Sequence, residues 1–251
     1  MASFHSPIEQ FIVRDYTAPL FEIAGHSITF TNFALAAVLA LVLGAMFMIL
    51  PMMKRSVIPS RWQAVVETFY DATESILLEA AGPKGKPFLP FIFTIFLFIL
   101  LCNLLGLVPM LYTVTSQLVV NLALGLMVIL IVLGAGFAKH GLGFLKLFVP
   151  SGVPPILVPV LAPIEFVSFF VRPFSLALRL FGNMLAGHVL LKVFAGMTAA
   201  VATSGLAAAS GFFPVVMNVG IVGFEVFVAF LQAYIFTVLS SLYLRDALEM
   251  H

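Results

Sequence analysis

The chain is expected to be an all-α integral membrane protein of six helices, and three observations lead there. Of its 251 residues 62% are hydrophobic and only 9% are charged, against about 25% charged in a soluble domain. Five apolar stretches stand out, near residues 28–50, 88–108, 118–138, 156–197 and 206–244. A further segment, 60–82, carries helix signals but too much charge to cross a bilayer. The net charge of +1 and the lack of a basic cluster give no sign of a nucleic-acid partner. One cysteine, Cys102, excludes an intramolecular disulfide. No Cys/His grouping has zinc spacing and no glycine-rich phosphate loop follows a strand, so neither metal nor cofactor is expected.

Segment 1–27 holds Glu9, Arg14, Asp15 and Glu22 and lacks the basic-then-apolar order of a signal peptide. Insertion is therefore expected to be directed by helix 1 itself, over 28–55. That helix and the two within 88–138 have ordinary spanning lengths, since ~20 residues at 1.5 Å rise cross a ~30 Å core. Between them, Ser60 and Gln63 have capping-box spacing and Gly82-Pro83 supplies a stop. Trp62, Val65, Val66, Phe69, Ile76, Leu77 and Ala80 form one face of this amphipathic surface helix, with Glu67, Asp71, Glu74 and Glu79 largely opposite. A lipid-surface helix prefers Lys and Arg on its polar face. The acidic face leaves two readings open, a protein-facing surface and a plain solvated one.

The region 156–248 is different. Two stretches of about 40 helical residues would each extend ~60 Å, twice the core thickness. Lys54, Arg55 and Arg61 follow the first span, Lys84 and Lys86 precede the second, Lys139 and Lys146 follow the third, and Arg245 lies near the C-terminus. The positive-inside rule then puts the N-terminus outside and the C-terminus in the cytoplasm. Each long stretch must cross once, which favours a steeply tilted hairpin of two long helices over four short ones. Pro159, Pro163 and Pro173 could kink the first, and Thr203–Pro214 reads as the turn between them.

Arg179 sits deep in the first long stretch among leucines, with no other basic residue within six positions. Its guanidinium keeps its proton, and placing it near the bilayer centre costs roughly 2.5–3.5 kcal/mol on insertion scales. Glu165, Ser168, Arg172, Ser175, Arg179 and Asn183 recur at spacings of 3, 4, 3, 4 and 4, one stripe down one face. Gly182 and Ala186 beside it form a small-xxx-small pair that lets another helix approach. His188 lies about 180° around the helix from Arg179. In the last helix Asn218, Glu225 and Gln232 share a face at heptad spacing.

A bland reading exists for most of these groups. Serines commonly bond their own backbone, Asn and Gln join packed helices, and a lone histidine is often a satisfied core residue. Arg172 and Lys192 read as side chains that snorkel toward the interfaces. For Arg179 the bland alternative is an Arg–Glu pair within the chain. Intramembrane carboxylates more often mark an ion or proton route, and Glu, His, Asn and Gln around a fixed positive charge suit a proton path.

At this point the sequence resembles the subunit a family of F-type ATP synthases. The resemblance rests on Ser175-Leu-Ala-Leu-Arg179-Leu-Phe-Gly182-Asn183-Met-Leu-Ala-Gly187-His188, on Leu231-Gln232-Ala-Tyr-Ile-Phe236, and on Asn103-Leu-Leu-Gly-Leu-Val-Pro109. It implies one span, a surface helix, two spans, and a long hairpin beside a rotating ring of c subunits. It implies the stationary proton channel of the complex, with two offset half-channels, an essential Arg179 and no catalytic chemistry of its own. Asn183, His188, Glu225 and Gln232 match positions of the outer half-channel, and Glu165 the acidic position of the inner one. Ser168, Ser175 and Asn218 are candidate lining residues. The implied partners are the c-ring, the peripheral-stalk b subunits, membrane lipid and protons, in a bacterial cell inner membrane with the N-terminus periplasmic. Some bacterial members carry glutamate where this chain has His188 and histidine where it has Glu225, so by this resemblance the pair is exchanged.

Two rival readings give different expectations. A self-contained channel or secondary transporter would move ions as the chain alone and usually shows an internal repeat, none of which is visible. A non-conducting scaffold would tolerate apolar residues at Glu225 and Gln232. The coupling ion, hydrogen or sodium, is set by the ring rather than by this chain.

Overall fold

The computed structural model describes residues 11–17, 21–23, 26–53, 56, 58–108, 111–148, 156–203 and 212–249. Among them are six α-helices: α1 (Asn32–Met52), α2 (Arg61–Ala81), α3 (Leu89–Gly106), α4 (Leu118–His140), α5 (Val158–Thr203) and α6 (Phe212–Leu248). All but α2 include a stretch long and apolar enough to cross a membrane. The chain is an all-α, multi-pass membrane protein. A short antiparallel ribbon, β1 (Phe21–Ile23) with β2 (His26–Ile28), precedes α1. Three-residue strands are too short for period-2 alternation to register in a sequence. Most of the Thr203–Pro214 turn, together with Lys54, Arg55 and Pro109, lies outside the described residues.

The lengths of α5 and α6, 46 and 37 residues, correspond to about 69 and 55 Å at 1.5 Å per residue. Pro163 and Pro173 lie inside α5 without ending it.

The chain forms two compact units. The first comprises Met1–Ala45, Phe98–Gln117 and Leu180–Gln232; the second comprises Met46–Leu97, Leu118–Arg179 and Ala233–His251. Helices α1, α3, α5 and α6 contribute residues to both.

In the second unit α2 begins where its sequence signals place it. The Ser60 hydroxyl accepts from the Gln63 N–H, and Gly82, at φ 66°, ends the helix with its N–H bonded to the Leu78 carbonyl. The Gln63 side chain reaches past Ser60: its amide donates to the Ser56 carbonyl at 3.2 Å and to Glu67 at 2.8 Å. These bonds draw Gln63 inward, and the buried stripe is Gln63, Val66, Thr73, Leu77 and Ala81. Trp62 is consequently 71% exposed and Val65 also lies outward, so the expected apolar face is rotated at its first turn. Ring contacts of Phe69 with Phe47 and Phe96 join α2 to α1 and α3.

Two glycines on α4 set its packing. A Cβ at Gly125 would lie 3.0 Å from the Cβ of Pro173, so α5 approaches there. A Cβ at Gly136 would lie 2.2 Å from the ring of Phe144, which is fully buried in the 3-10 segment Gly141–Phe148. Gly136→Ala is therefore expected to cost about 1–3 kcal/mol, the range for overpacked cores. Thermal unfolding of the purified complex checks this, with Gly134→Ala, where a Cβ meets nothing within 4 Å among the described residues, as the neutral comparison. At the end of α6 the Lys139 ammonium donates to the Leu248 carbonyl at 3.1 Å, satisfying one of the carbonyls a helix leaves unpaired.

Candidate functional site

In the first unit, polar side chains lie on the inward faces of two apolar helices. His188 on α5 is 7% exposed, and Glu225 and Gln232 on α6 are 6% and 7% exposed. Heptad spacing keeps Glu225 and Gln232 on one face, and the intervening Ala229, fully buried, keeps that face close to its neighbour. That neighbour is α3, whose Asn103 amide donates to the Ala229 carbonyl at 3.3 Å. The Asn103 side-chain carbonyl in turn accepts from the Thr115 hydroxyl at 2.8 Å.

The segment after α3 reaches His188. Thr113 Oγ1 stands 3.2 Å from His188 Nε2. The turn brings Thr113 against Gly106, where a Cβ would come within 2.6 Å of its methyl. A hydroxyl both donates and accepts, so it can serve either tautomer of the ring.

Glu225 packs directly on the backbone of Gly187, the residue before His188. A Cβ at Gly187 would lie 2.1 Å from Glu225 Oε1 and 2.9 Å from its Cδ. Both Glu225 oxygens are buried, and neither has a hydrogen-bond partner among the described residues. Burying an unpaired carboxylate is expensive unless it carries a proton or meets a donor. His188 and Glu225 thus share one neighbourhood without a hydrogen bond joining them among the described residues. Asn183 is exposed on α5. Asn218, nearer the start of α6, lines a cavity of about 390 Å³ with Thr198 and Val222.

In the second unit α5 carries Glu165, Ser168, Arg172, Ser175 and Arg179 of the expected stripe. Glu165, Ser168 and Arg172 are half-buried, whereas Ser175 and Arg179 are exposed. Arg172 does not simply snorkel. Its guanidinium lies 3.3 Å from Asp246 and 3.6 Å from Glu165, and 5.6 Å from the centre of the Tyr243 ring. These side chains remain 36–44% exposed, so the ion pairs fix geometry more than they add stability. The Arg–Glu pair that sequence allowed for Arg179 is made by Arg172 instead. No carboxylate of the described residues lies within ion-pair distance of Arg179.

Thr113, Thr115 and Asp246 were not marked by sequence. The run Thr113-Val-Thr115-Ser116 between two apolar spans is the signal that could have found the first two. Asp246 directly follows Arg245, and only its tertiary partner distinguishes it.

Comparison with known proteins bears on this arrangement. The family described as ATP synthase A chain matches residues 33–245, a span holding every side chain just described except Asp246. ATP synthase subunit a of Rhizobium rhizogenes is 50% identical over 246 residues, 98% of this chain and 98% of that protein. The corresponding protein of Chelativorans sp. is 49% identical over 244 residues, 97% of each. ATP synthase subunit a 1 of Brucella anthropi is 48% identical over 246 residues, 98% of each. Half of the residues agree along nearly the whole length, and the chain belongs to the ATP synthase A chain family.

Proposed function

We propose that this chain is the stationary proton-channel subunit of an F-type ATP synthase, set in a bacterial inner membrane with a periplasmic N-terminus and a cytoplasmic C-terminus. The observation that carries this reading is Arg179, a permanent cation exposed on a helix long and apolar enough to cross a membrane and without an ion-paired carboxylate among the described residues. A charge so placed needs an opposite charge from a neighbouring chain, because an isolated ion in lipid is several kcal/mol unfavourable. The partner of that chemistry is a ring of c subunits, each presenting one membrane-embedded carboxylate.

A proton enters from outside past Glu225, His188, Asn183 and Gln232, with Asn218 lining the approach, and neutralises a ring carboxylate. The neutral site then moves into lipid without a desolvation barrier as the ring turns. A site returning from the other side reaches the inner half-channel near Glu165, with Ser168 and Ser175 beside it, and releases its proton. Arg179 stabilises the ionised site and repels any proton moving directly between the half-channels. Each charge crossing the membrane gains about 2.3 kcal/mol per 100 mV, so several protons are needed per ATP. The chain itself performs no ATP chemistry. Asp71 and Glu79, exposed on α2, offer the peripheral-stalk b subunits an acidic surface.

Exchange of His188 and Glu225, as His188→Glu with Glu225→His, is expected to retain far more ATP synthesis than removal of either, since one imidazole and one carboxylate remain in the same neighbourhood. ATP synthesis by membrane vesicles under an imposed proton gradient measures this; equal loss in all variants contradicts the relay. The reading as a whole is tested by reconstitution. Liposomes holding this chain alone are expected to pass no protons, and those holding it assembled with the c-ring are expected to pass them. Proton flux through the isolated chain would return it to the class of self-contained channels.

A further inference from the structure

Residues 11–17 take no part in the function proposed above, yet they are built onto the surroundings of His188, all within the first unit. Their backbone runs beside the residues leading into α1. The Tyr16 N–H donates to the Phe30 carbonyl at 2.9 Å and the Asn32 N–H to the Arg14 carbonyl at 3.0 Å. The Asn32 side chain adds two bonds, accepting from the Arg14 N–H at 3.0 Å and donating to the Ile12 carbonyl at 3.2 Å. The Thr29 hydroxyl donates to Asp15.

Phe11 is anchored separately. Its carbonyl accepts from the Tyr112 hydroxyl at 3.1 Å and from the Gln117 amide at 3.3 Å. Burial pushes the Tyr112 phenol above its usual pKa, against the opposing hydrogen bond from Gln117, so the hydroxyl stays a donor. Two donors on one carbonyl hold the backbone from which the Phe11 ring projects. It meets the His188 imidazole edge-on, with centroids 6.2 Å apart and planes at 78°, a favoured geometry for two aromatic rings. Thr113, which hydrogen-bonds that imidazole at 3.2 Å, immediately follows Tyr112, which anchors Phe11.

We propose that Phe11 is a positioning residue for His188, and that the strap 11–17 shields the imidazole and holds it toward the Thr113 hydroxyl. The proposal rests on the reading of His188 as a relay residue. A relay needs an imidazole whose orientation and proton-bearing nitrogen are fixed by its neighbours. An apolar ring against the imidazole also limits access to it.

The test is the reactivity of His188 toward diethylpyrocarbonate in membranes holding the assembled complex, read by peptide mass spectrometry with His140 as internal reference. Phe11→Ala is expected to raise the His188 rate roughly two- to tenfold, the effect of losing one edge-on aromatic contact. Phe11→Tyr, which keeps the ring, is expected to stay near the wild-type rate. An unchanged rate in Phe11→Ala overturns the proposal, and so does an equal rise in Phe11→Tyr. Should Phe11→Ala fail to assemble, Tyr112→Phe combined with Gln117→Ala removes both donors and decides by the same two outcomes of a raised or unchanged rate. Arg179→Ala separates the two possible failures. If that variant still makes ATP, the proton-channel reading fails whatever His188 does; if it does not, an unchanged His188 rate overturns the strap alone.

Discussion

Arg179→Ala is expected to abolish proton-driven ATP synthesis while leaving the complex assembled. Two unit charges about 4 Å apart interact by about 4 kcal/mol at an effective dielectric near 20, which is about three orders of magnitude in an equilibrium. On the proposed reading, removing the guanidinium takes that stabilisation from a ring carboxylate, which then keeps its proton instead of releasing it to the inner half-channel. The side chain is exposed and lacks an ion-pair partner among the described residues, so loss of it should cost the fold within about 0.5 kcal/mol. Immunoblots of membrane-bound complex and ATP synthesis by vesicles separate these two effects. Arg179→Lys is expected to remain inactive. An ammonium can lose its proton when desolvated and lacks the planar donor fork of a guanidinium. Wild-type synthesis by either variant would refute the role of Arg179.

Gly187→Val is the second large effect. Its first side-chain carbon would sit 2.1 Å from Glu225 Oε1, 2.9 Å from Cδ and 3.1 Å from Cγ. The whole carboxyl end of Glu225 must move, on a face of α6 where its neighbour Ala229 is fully buried. Overpacking of this kind costs about 1–3 kcal/mol. ATP synthesis is expected to fall roughly 5- to 150-fold, because that energy is set against the position of the carboxylate proposed as a relay. The smaller change Gly187→Ala gives the compensating test. Paired with Glu225→Asp, which withdraws the carboxylate by one methylene, it should regain part of the activity lost by Gly187→Ala alone. Failure of the shorter acid to restore anything would show that Gly187 acts through backbone packing rather than through Glu225.

Local periodicity made much of this molecule legible. The two over-long apolar stretches, read as two long helices in preference to four short ones, are α5 and α6, and Ser60 and Gly82 marked the ends of α2 by capping chemistry that needs no tertiary information. The spacing of Glu165 through Asn183 placed one stripe on α5, and the half-turn between Arg179 and His188 separated the exposed cation from the buried imidazole. The polar neighbours of His188 were less accessible. Thr113 lies 75 residues from it in sequence, and the Asn103–Ala229 bond spans 126; helical spacing carries no information at that range. Arg172 illustrates the same limit. Its own helix supplied Glu165, but Asp246, 74 residues on, turned a snorkelling cation into a bridged one. The turn of α2 that exposes Trp62 follows from the bonds of Gln63 to Ser56 and Glu67, a local competition that an apolar–polar pattern ranks the wrong way round. The close seat of Glu225 on Gly187 likewise depends on the path of two helices, which sequence leaves unspecified.

The most direct measurement of the central claim is a disulfide cross-link from the exposed stripe of α5 to the ring. Gly182 follows Arg179 by three residues, and a side chain there meets nothing within 4 Å among the described residues. In a complex carrying Cys102→Ser, Gly182→Cys is expected to cross-link on oxidation to a cysteine set one turn from the ring carboxylate. Leu41→Cys, on an exposed face of α1, is expected not to. Cross-linking from Leu41→Cys with none from Gly182→Cys would contradict the placement of Arg179 against the ring.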